Sequence, residues 1–482
     1  MRKLIAFVIF GTLLTVSCSR NPVTGKKEVM LMSEGQEIAM GQESDPAIVA
    51  EFGLYENPSL QNLLARKGAE IAAISHRPNL SYNFRVLDSP VVNAFAVPGG
   101  YVYFTRGILA HFNNEAELAG VLGHEIGHIT AKHSAKQYSN QLITQILFIG
   151  GLVVSEDFRK FADVAQQGMG LLFLKFSRDH EKESDKLGVE YSTKIGYDAH
   201  EMGTFFKTLK KLSGGEGAIP TFLSTHPDPG DREITVNKLA TEAQTKAGTS
   251  NFKVERNEYL KLIDGIVYGE DPQQGYVENS VFYHPDLKFK YQVPNGWKTV
   301  NTPAQVNMAP ADGKALLSFS ATQGTLADVK NKTISENNLQ VVEQANTMVN
   351  GMNAISMLSN VPASNQNGQQ TPALTVLTYL IEYNGLIYKF HGLSTQTDFN
   401  AYFSTFQTSM KSFSVLTDQS KINKQPMKIK IVSANKSASL QQLLTENGMP
   451  SNRLQELSIL NGMELSDTVN SGTLFKVLSG GY

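Results

Sequence analysis

The sequence predicts an α+β protein in three parts: a mostly helical domain with a small β-sheet, an α+β domain, and a small βααβ module. Three observations predict this. The run "NNEAELAGVLGHEIGHITAKHS", residues 113 to 134, places Leu118, Val121, Leu122, Ile126 and Ile129 at helical spacing. From about residue 280, Asn, Thr, Ser and Gln rise and strand patterns such as "LKFKYQV" and "ALTVLTYLIEY" appear. The last fifty or so residues, from "MKIKIVSANK" to "TLFKVL", read as strand, helix, helix, strand. A chain of 482 residues is too long for one core, so several domains are expected. The formal net charge is -2 with no long basic run, which speaks against a nucleic-acid partner.

The chain opens with Arg2 and Lys3, an apolar run from Leu4 to Val16, and the small Ser17 before Cys18. That is the pattern of an export signal over 1–17, and the run is short for a spanning helix. Cys18 is the single cysteine, so no intramolecular disulfide can form. Its place just after the apolar run resembles the acylation site of a bacterial lipoprotein, with Thr15 where leucine is usual. A lipid anchor at Cys18 and a linker over 18–32 are therefore expected. The first domain is expected over 33–265. Ser33 and Gln36 can form a capping box ahead of the helical "SEGQEIAMGQE", and "PSLQNLLARKGAEIAAIS" also reads as helix. "LSYNFRVLDS" and "YVYFTRGI" read as strands, with a turn at Pro98-Gly99-Gly100 between them. "LITQILFIGGLVV", residues 142 to 154, reads as a buried helix interrupted at Gly150-Gly151. "MGLLFLKFSRDHEKESDKLGVEYSTKIG" reads as one long helix closing at Gly196. The middle domain is expected over 266–415. Its strands "ALTVLTYLIEY" and "LIYKFHGLS" flank the hairpin signal Asn384-Gly385, and helical stretches are expected near 336–350 and 398–413. A polar linker over 416–426 leads to the module over 427–482.

Titratable chemistry concentrates in "GHEIGH". Asn113 or Asn114 can cap the helix start, and Glu115 and Glu117 suit its positive end. On a helix His124 and His128 project from one face, and two imidazoles at that spacing can share a zinc ion. Glu125 lies about 100° round from His124, placed to reach water at a metal without ligating it. The plain alternative is a core histidine pair satisfied by backbone carbonyls. A catalytic zinc needs three protein ligands and one open position. Glu181, Glu183 and Asp185, all in "SRDHEKESDKLG", could each supply the third. Glu181 and Asp185 share a helix face, whereas Glu183 points away from them. One carboxylate could ligate while another orients a histidine by accepting its second N–H. Taken alone, the acids would read as a solvated face with Lys182 and Lys186.

"NAFAVPGGYVYFTRGIL", "ELAGVLGHEIGH", "SRDHEKESDKLG" and "STHPDPGDR" follow one another in this order. The set resembles the M48 family of zinc metallopeptidases, closely over about residues 33 to 250. It extends more loosely through "DGIVYGEDPQQG" and "FYHPDLKFKYQVPNGW". The resemblance implies a gluzincin-type zincin domain, one Zn2+ per chain, and protein or peptide substrates. It places the third ligand on Glu181, beside His124 and His128, with Ser184 where alanine is usual before the aspartate. Glu125 would be the general base, and Asp185 would orient His124. His226 would stabilise the oxyanion or occupy the open zinc position, and Arg232 would hold that loop through a carboxylate. Asn93, Ala94, Phe95, Ala96 and Val97 would hold the substrate backbone along a sheet edge. A metzincin would need glycine at 131 and histidine at 134, where the chain has Ala131 and Ser134, so His133 has no assigned role.

The C-terminal module resembles a LysM-like fold, whose family binds N-acetylglucosamine polymers, although "KSASL" stands where Gly-Asp-Thr-Leu is usual. Peptidoglycan is the partner this implies, against a docking or spacer role. The expected protein is thus an exported zinc endopeptidase acting on misfolded or unassembled envelope proteins. It would be lipid-anchored through Cys18 to a bacterial membrane facing the periplasm, with the outer membrane preferred over the inner. The competing expectation is a non-catalytic envelope scaffold or cell-wall-binding lipoprotein whose zinc site is structural or blocked.

Overall fold

Ser33 begins the first long helix as the capping box requires: its Oγ accepts from the Gln36 N–H, and Gln36 Oε1 accepts from the Ser33 N–H. The computed structural model describes residues 18–30, 32–138, 176–214, 221–226, 231–366 and 369–481. The expected signal over 1–17, the apolar run 142–154 and residues 227–230 of "STHPDPGDR" lie outside them. Among the described residues no helix is long and apolar enough to cross a membrane.

The chain divides into two units. Unit 1 takes the chain to Gly269, apart from residues 50–52, and then residues 427–479. Unit 2 takes residues 50–52, 270–426 and 480–482.

In unit 1, β1 (Cys18–Arg20) and β2 (Lys27–Val29) pair antiparallel. Two helices follow, α1 (Glu34–Phe52) and α2 (Pro58–Ile74), the second capped by Asn57 with Pro58 at its first turn. Three strands come next: β3 (Asn83–Leu87), β4 (Ala94–Val97) and β5 (Tyr101–Thr105). Their order is β3-β5-β4, with β3 parallel and β4 antiparallel to β5, so β4 is an edge. The turn between β4 and β5 needs Gly100: its φ is +97°, and a Cβ there would lie 2.2 Å from the Ser81 carbonyl oxygen. After α3 (Arg106–His111) comes α4 (Glu115–Thr130), the helix that carries the two histidines. Asn114 is its cap, accepting from the Glu117 N–H at 2.8 Å, while Glu117 reaches back to the Asn113 N–H at 2.6 Å.

Helix α5 (Arg178–Lys194) packs closely on α4. The glycines set that distance: a Cβ on Gly188 would lie 2.9 Å from the Gly120 carbonyl, and one on Gly123 would lie 3.1 Å from Gly188 Cα. Of the single helix expected from residue 169, residues 169–175 lie outside the described residues, and the described part begins only at Arg178, after the non-helical Phe176 and Ser177. Ser177 is extended, with φ −72° and ψ 156°, and caps α5 by accepting from the His180 N–H. A serine's local side-chain bond to the backbone wins over the apolar pattern upstream. Then come α6 (His200–Ser213), α7 (Thr221–Thr225), α8 (Arg232–Ala247) and α9 (Arg256–Leu262).

Unit 2 has two sheets. The smaller holds β6 (Tyr276–Glu278), β7 (Val281–His284) and β8 (Phe289–Gln292), with a short strand at Ser414–Val415 pairing on β8. The larger starts with β9 (Lys298–Asn301), β10 (Val306–Ala309) and β11 (Ala315–Thr322). After α10 (Leu326–Glu336) it continues with β12 (Gln340–Val349) and β13 (Met352–Val361). The helix expected near 336–350 is therefore wrong beyond its first residue: α10 ends there, and residues 340–349 form the exposed edge of the sheet. Antiparallel pairing of β12 along β13 overrides a local helical reading of a segment that also carries Val341, Val342 and Thr347. A short pair, β14 (Ser364–Gln366) and β15 (Gln369–Thr371), precedes β16 (Leu374–Tyr383) and β17 (Leu386–Thr395). The last two make the expected hairpin, with Asn384 at φ 54° and Gly385 at φ 79°, both left-handed as a type I′ turn demands. Helix α11 (Phe399–Lys411) falls where a helix was expected. Aromatic rings fill this core, with Phe289, Phe319, Tyr388, Phe390 and Phe413 in one cluster.

The chain returns to unit 1 as strand, helix, helix, strand. Long strands 428–433 and 474–479 pair antiparallel around α12 (Leu440–Glu446) and α13 (Leu454–Leu460). Leu457, Phe475 and Leu478 belong to the same apolar cluster as Leu122, Phe205 and Tyr259. Lys476 is fully buried and donates to the carbonyls of Ala110, Phe112 and Leu460 at 2.9, 2.8 and 2.9 Å. One ammonium thus caps the C-terminal ends of both α3 and α13.

Candidate metal centre

Helix α4 delivers His124, Glu125 and His128 into the interior, none more than 1% exposed. Helix α5 delivers Glu181 and Asp185 from the facing side, and His226 follows directly on α7. Nitrogen or oxygen atoms of His124, His128, Glu181 and His226 all lie within 4.8 Å of one another. His124 Nε2 and His128 Nε2 are 3.0 Å apart. Glu181 Oε1 is 3.4 Å from His128 Nε2, and Glu181 Oε2 is 3.6 Å from His124 Nε2. His226 Nδ1 lies 3.1 Å from Glu181 Oε1 and 3.4 Å from His124 Nε2.

Three of these separations match a tetrahedral ion, and the two at 3.0 and 3.1 Å are slightly shorter. Zinc bonds of about 2.0–2.2 Å place neighbouring donors roughly 3.3–3.6 Å apart. Three imidazoles and a carboxylate also form a borderline-soft set that suits zinc. Both Glu125 oxygens are buried without a hydrogen-bond partner among the described residues, and His226 Nε2 stands 3.7 Å from one of them.

The supporting shell is dense. Asp185 Oδ1 lies 2.9 Å from His124 Nδ1. Arg232, the first residue of α8, donates to both Asp185 oxygens, Nε at 3.0 Å and Nη2 at 2.5 Å, and its Nη1 is 3.3 Å from Glu181 Oε2. Its guanidinium sits 4.0 Å over the Phe206 ring. Burial opposes ionisation of Asp185, but Arg232 and His124 overcome it and hold the carboxyl below its ordinary range. Burial likewise opposes the Glu181 charge, and His226, His128 and His124 pull it well below. Burial pushes Glu125 up, with His226 and His124 resisting. Burial holds His128 well below the usual imidazole range, in the neutral form a metal requires.

Residues 94 to 97 are β4, the edge of the three-stranded sheet beside α4, and Asn93 immediately precedes them. The Phe222 N–H of α7 donates to the Val92 carbonyl at 3.2 Å. His133, which has no role from the sequence, and Glu183, one of the three candidates for the third ligand, also meet beside the site. His133 Nδ1 is 3.1 Å from His128 Nδ1, and Glu183 Oε2 is 3.2 Å from His133 Nε2. Glu183 does point away from Glu181 and Asp185, but towards a histidine that touches His128. Nothing in residue spacing signals this contact, because His133 lies beyond the end of α4. Cys18 begins β1, away from these residues in sequence and in its pairing.

The model of the peptidase family M48 matches residues 58–240. The mitochondrial metalloendopeptidase OMA1 of Arabidopsis thaliana is 33% identical over 221 residues, 45% of this chain and 42% of that protein. The mitochondrial metalloendopeptidase OMA1 of Schizosaccharomyces pombe is 30% identical over 234 residues, 48% of this chain and 68% of that protein. The beta-barrel assembly-enhancing protease of Escherichia coli O157:H7 is 26% identical over 233 residues, 46% of this chain and 47% of that protein. The chain thus spans about half the length of most of these relatives, and the matched half holds every residue of the cluster. With that match and the buried His-His-Glu-His set on the same helices, the chain belongs to peptidase family M48 and carries a metalloendopeptidase domain of that family.

Proposed function

We propose that the protein is a zinc-dependent endopeptidase of the bacterial cell envelope that hydrolyses misfolded or unassembled envelope proteins. The observation that carries the reading is the buried set of donors at near-tetrahedral spacing beside an unpartnered Glu125. His124, His128 and Glu181 would hold one zinc ion per chain. Bound there, zinc supplies Lewis-acid polarisation of the scissile carbonyl and makes water acidic near neutral pH. Glu125 takes the proton of the attacking water and delivers it to the leaving amine. Asp185, fixed by Arg232, holds His124 in the tautomer whose Nε2 is free to ligate. Asn93 and the edge strand through Val97 bind an extended peptide by main-chain pairing.

His226 has two roles in this reading. Its Nδ1 stands with the other donors, which supports occupation of the fourth position at rest. Its Nε2 faces Glu125, and in turnover the ring donates to the tetrahedral oxyanion. Envelope placement draws on the export pattern before Cys18, on the proposed acylation there, and on the similarity to the beta-barrel assembly-enhancing protease of Escherichia coli O157:H7. The C-terminal strand–helix–helix–strand segment is read as LysM-like, with peptidoglycan as its partner.

The second reading, a scaffold with a permanently blocked site, is favoured by that same fourth donor. One assay separates them. The full chain loaded with zinc should cleave an unfolded outer-membrane protein, and chelation should stop it. His226→Ala should cost roughly 2–4 kcal/mol of transition-state stabilisation if the oxyanion role dominates, and should speed cleavage of short peptides if blockage dominates. No cleavage by either chain makes the protein a scaffold.

A further inference from the structure

We propose that His133 is a positioning residue that joins Glu183 to the metal ligand His128, so that both histidines of α4 are backed by a carboxylate. His124 has its carboxylate in direct contact, Asp185 at 2.9 Å. Among the described residues, His128 Nδ1 meets no carboxylate but a second imidazole, that of His133. This inference rests on the metal-centre reading of the site.

The tautomers follow from the distances. His128 turns Nε2 towards Glu181 and His124, so Nε2 is the ligating atom and the ring proton sits on Nδ1. That N–H lies 3.1 Å from His133 Nδ1, which must accept. His133 therefore carries its own proton on Nε2, 3.2 Å from Glu183 Oε2. Ser184 Oγ lies 3.2 Å from the same His133 Nδ1 and shares its single lone pair with the His128 N–H. Each contact has one donor and one acceptor, and the chain ends on a carboxylate. Its outer end is the half-buried Glu183, whose side chain is 28% exposed, while His133 is 1% exposed.

The backbone is bent to make this contact. On a continued helix, residues five apart point about 140° from each other. Helix α4 instead stops at Thr130, and Lys132 adopts a left-handed φ of 58°. That conformation disfavours an L-residue. It is held by the Lys132 ammonium, 2.9 Å from Glu37, and it returns His133 beneath His128. The ring is then fixed by stacking on His180, with centroids 4.3 Å apart and planes at 18°.

The test is zinc affinity of the full chain by chelator competition, with the visible spectrum of the cobalt-loaded protein as a second readout. His133→Phe keeps the ring and its stack but has no nitrogen. It should weaken zinc about 10–100-fold, the range for lost outer-shell partners, and shift the cobalt bands. Glu183→Gln should weaken zinc less, about threefold to tenfold, and should add nothing in the His133→Phe background. Wild-type affinity in His133→Phe, or a Glu183→Gln loss that persists undiminished in the double variant, overturns the proposal. If His133→Phe does not fold, Glu183→Gln decides alone, since wild-type affinity there leaves no relay. A wild-type chain that binds no zinc at all overturns the metal-centre reading instead.

Discussion

The two units bury different things. Among the described residues, every buried charged side chain and every buried histidine lies in unit 1: Glu37, Lys67, Arg77, Arg106, Glu117 and Lys132 alongside the metal cluster, and Lys476 from the C-terminal segment. Unit 2 buries only neutral hydroxyls, namely Thr333, Ser359, Thr378, Ser394 and Ser409, within a core of stacked aromatic rings. Buried charge is costly unless paired, so a unit that carries so much of it has either a chemical use for it or a structural reason. Unit 1 has both. The charges on α4, α5 and α8 converge on the metal site, whereas Lys476 and Arg77 cap helix ends, Arg77 by donating to the Ile129 carbonyl.

The comparison can be broken at its functional end first. Glu181→Ala removes a ligand and should lower zinc affinity by more than the roughly 10–100-fold expected for outer-shell losses; isothermal titration of the metal-free chain measures it. Zinc binding as in wild type would show that the buried carboxylate serves only Arg232.

The structural end comes next. Lys476→Met leaves three carbonyls without their donor and should destabilise unit 1 by about 3 kcal/mol. Hydrogen exchange should speed up in α3, α4 and α13 while β16 and β17 keep their protection. Unchanged exchange in α4 would mean that the C-terminal segment is not needed to hold the metal helix.

The smallest effect tests unit 2. His284 and His391 are only partly buried, but the desolvation pushes both down to about 4, so they stay neutral in the folded chain while an unfolded chain would protonate them. The unfolded state then binds more protons between pH 6.5 and 4, and stability falls as the pH drops through that window. His391→Gln should reduce that loss by on the order of 1–2 kcal/mol, allowing for partial exposure. Equal acid sensitivity of variant and wild type would show that the His391 imidazole, beside Thr378, does not drive the acid response.

What could be read from the sequence follows the range of each interaction. The pair His124 and His128, the Asn114 cap, the Ser33–Gln36 box and the Asn384-Gly385 turn depend on residues a few positions apart, and spacing alone announces them. The third donor does not. Spacing left Glu181, Glu183 and Asp185 open, and only the family resemblance singled out Glu181, which the fold brings against both histidines. The role of His133 depends on a left-handed turn at Lys132 that no pattern of apolar residues encodes. Residues 340–349 read as helix because their partner, β13, is visible only in three dimensions. The tie between Lys476 and the carbonyls of α3 spans more than 360 residues, and a lone lysine in a strand gives no hint of it.

The central claim is that the buried cluster of unit 1 is a catalytic metal centre with Glu125 as its base. Glu125→Gln, with zinc content and peptide turnover measured on the same preparation, tests it most directly. The variant should keep one zinc per chain as in wild type and turn over about 10²–10⁴ more slowly, since an amide cannot accept the proton of the attacking water. Turnover near wild type with zinc in place would contradict it.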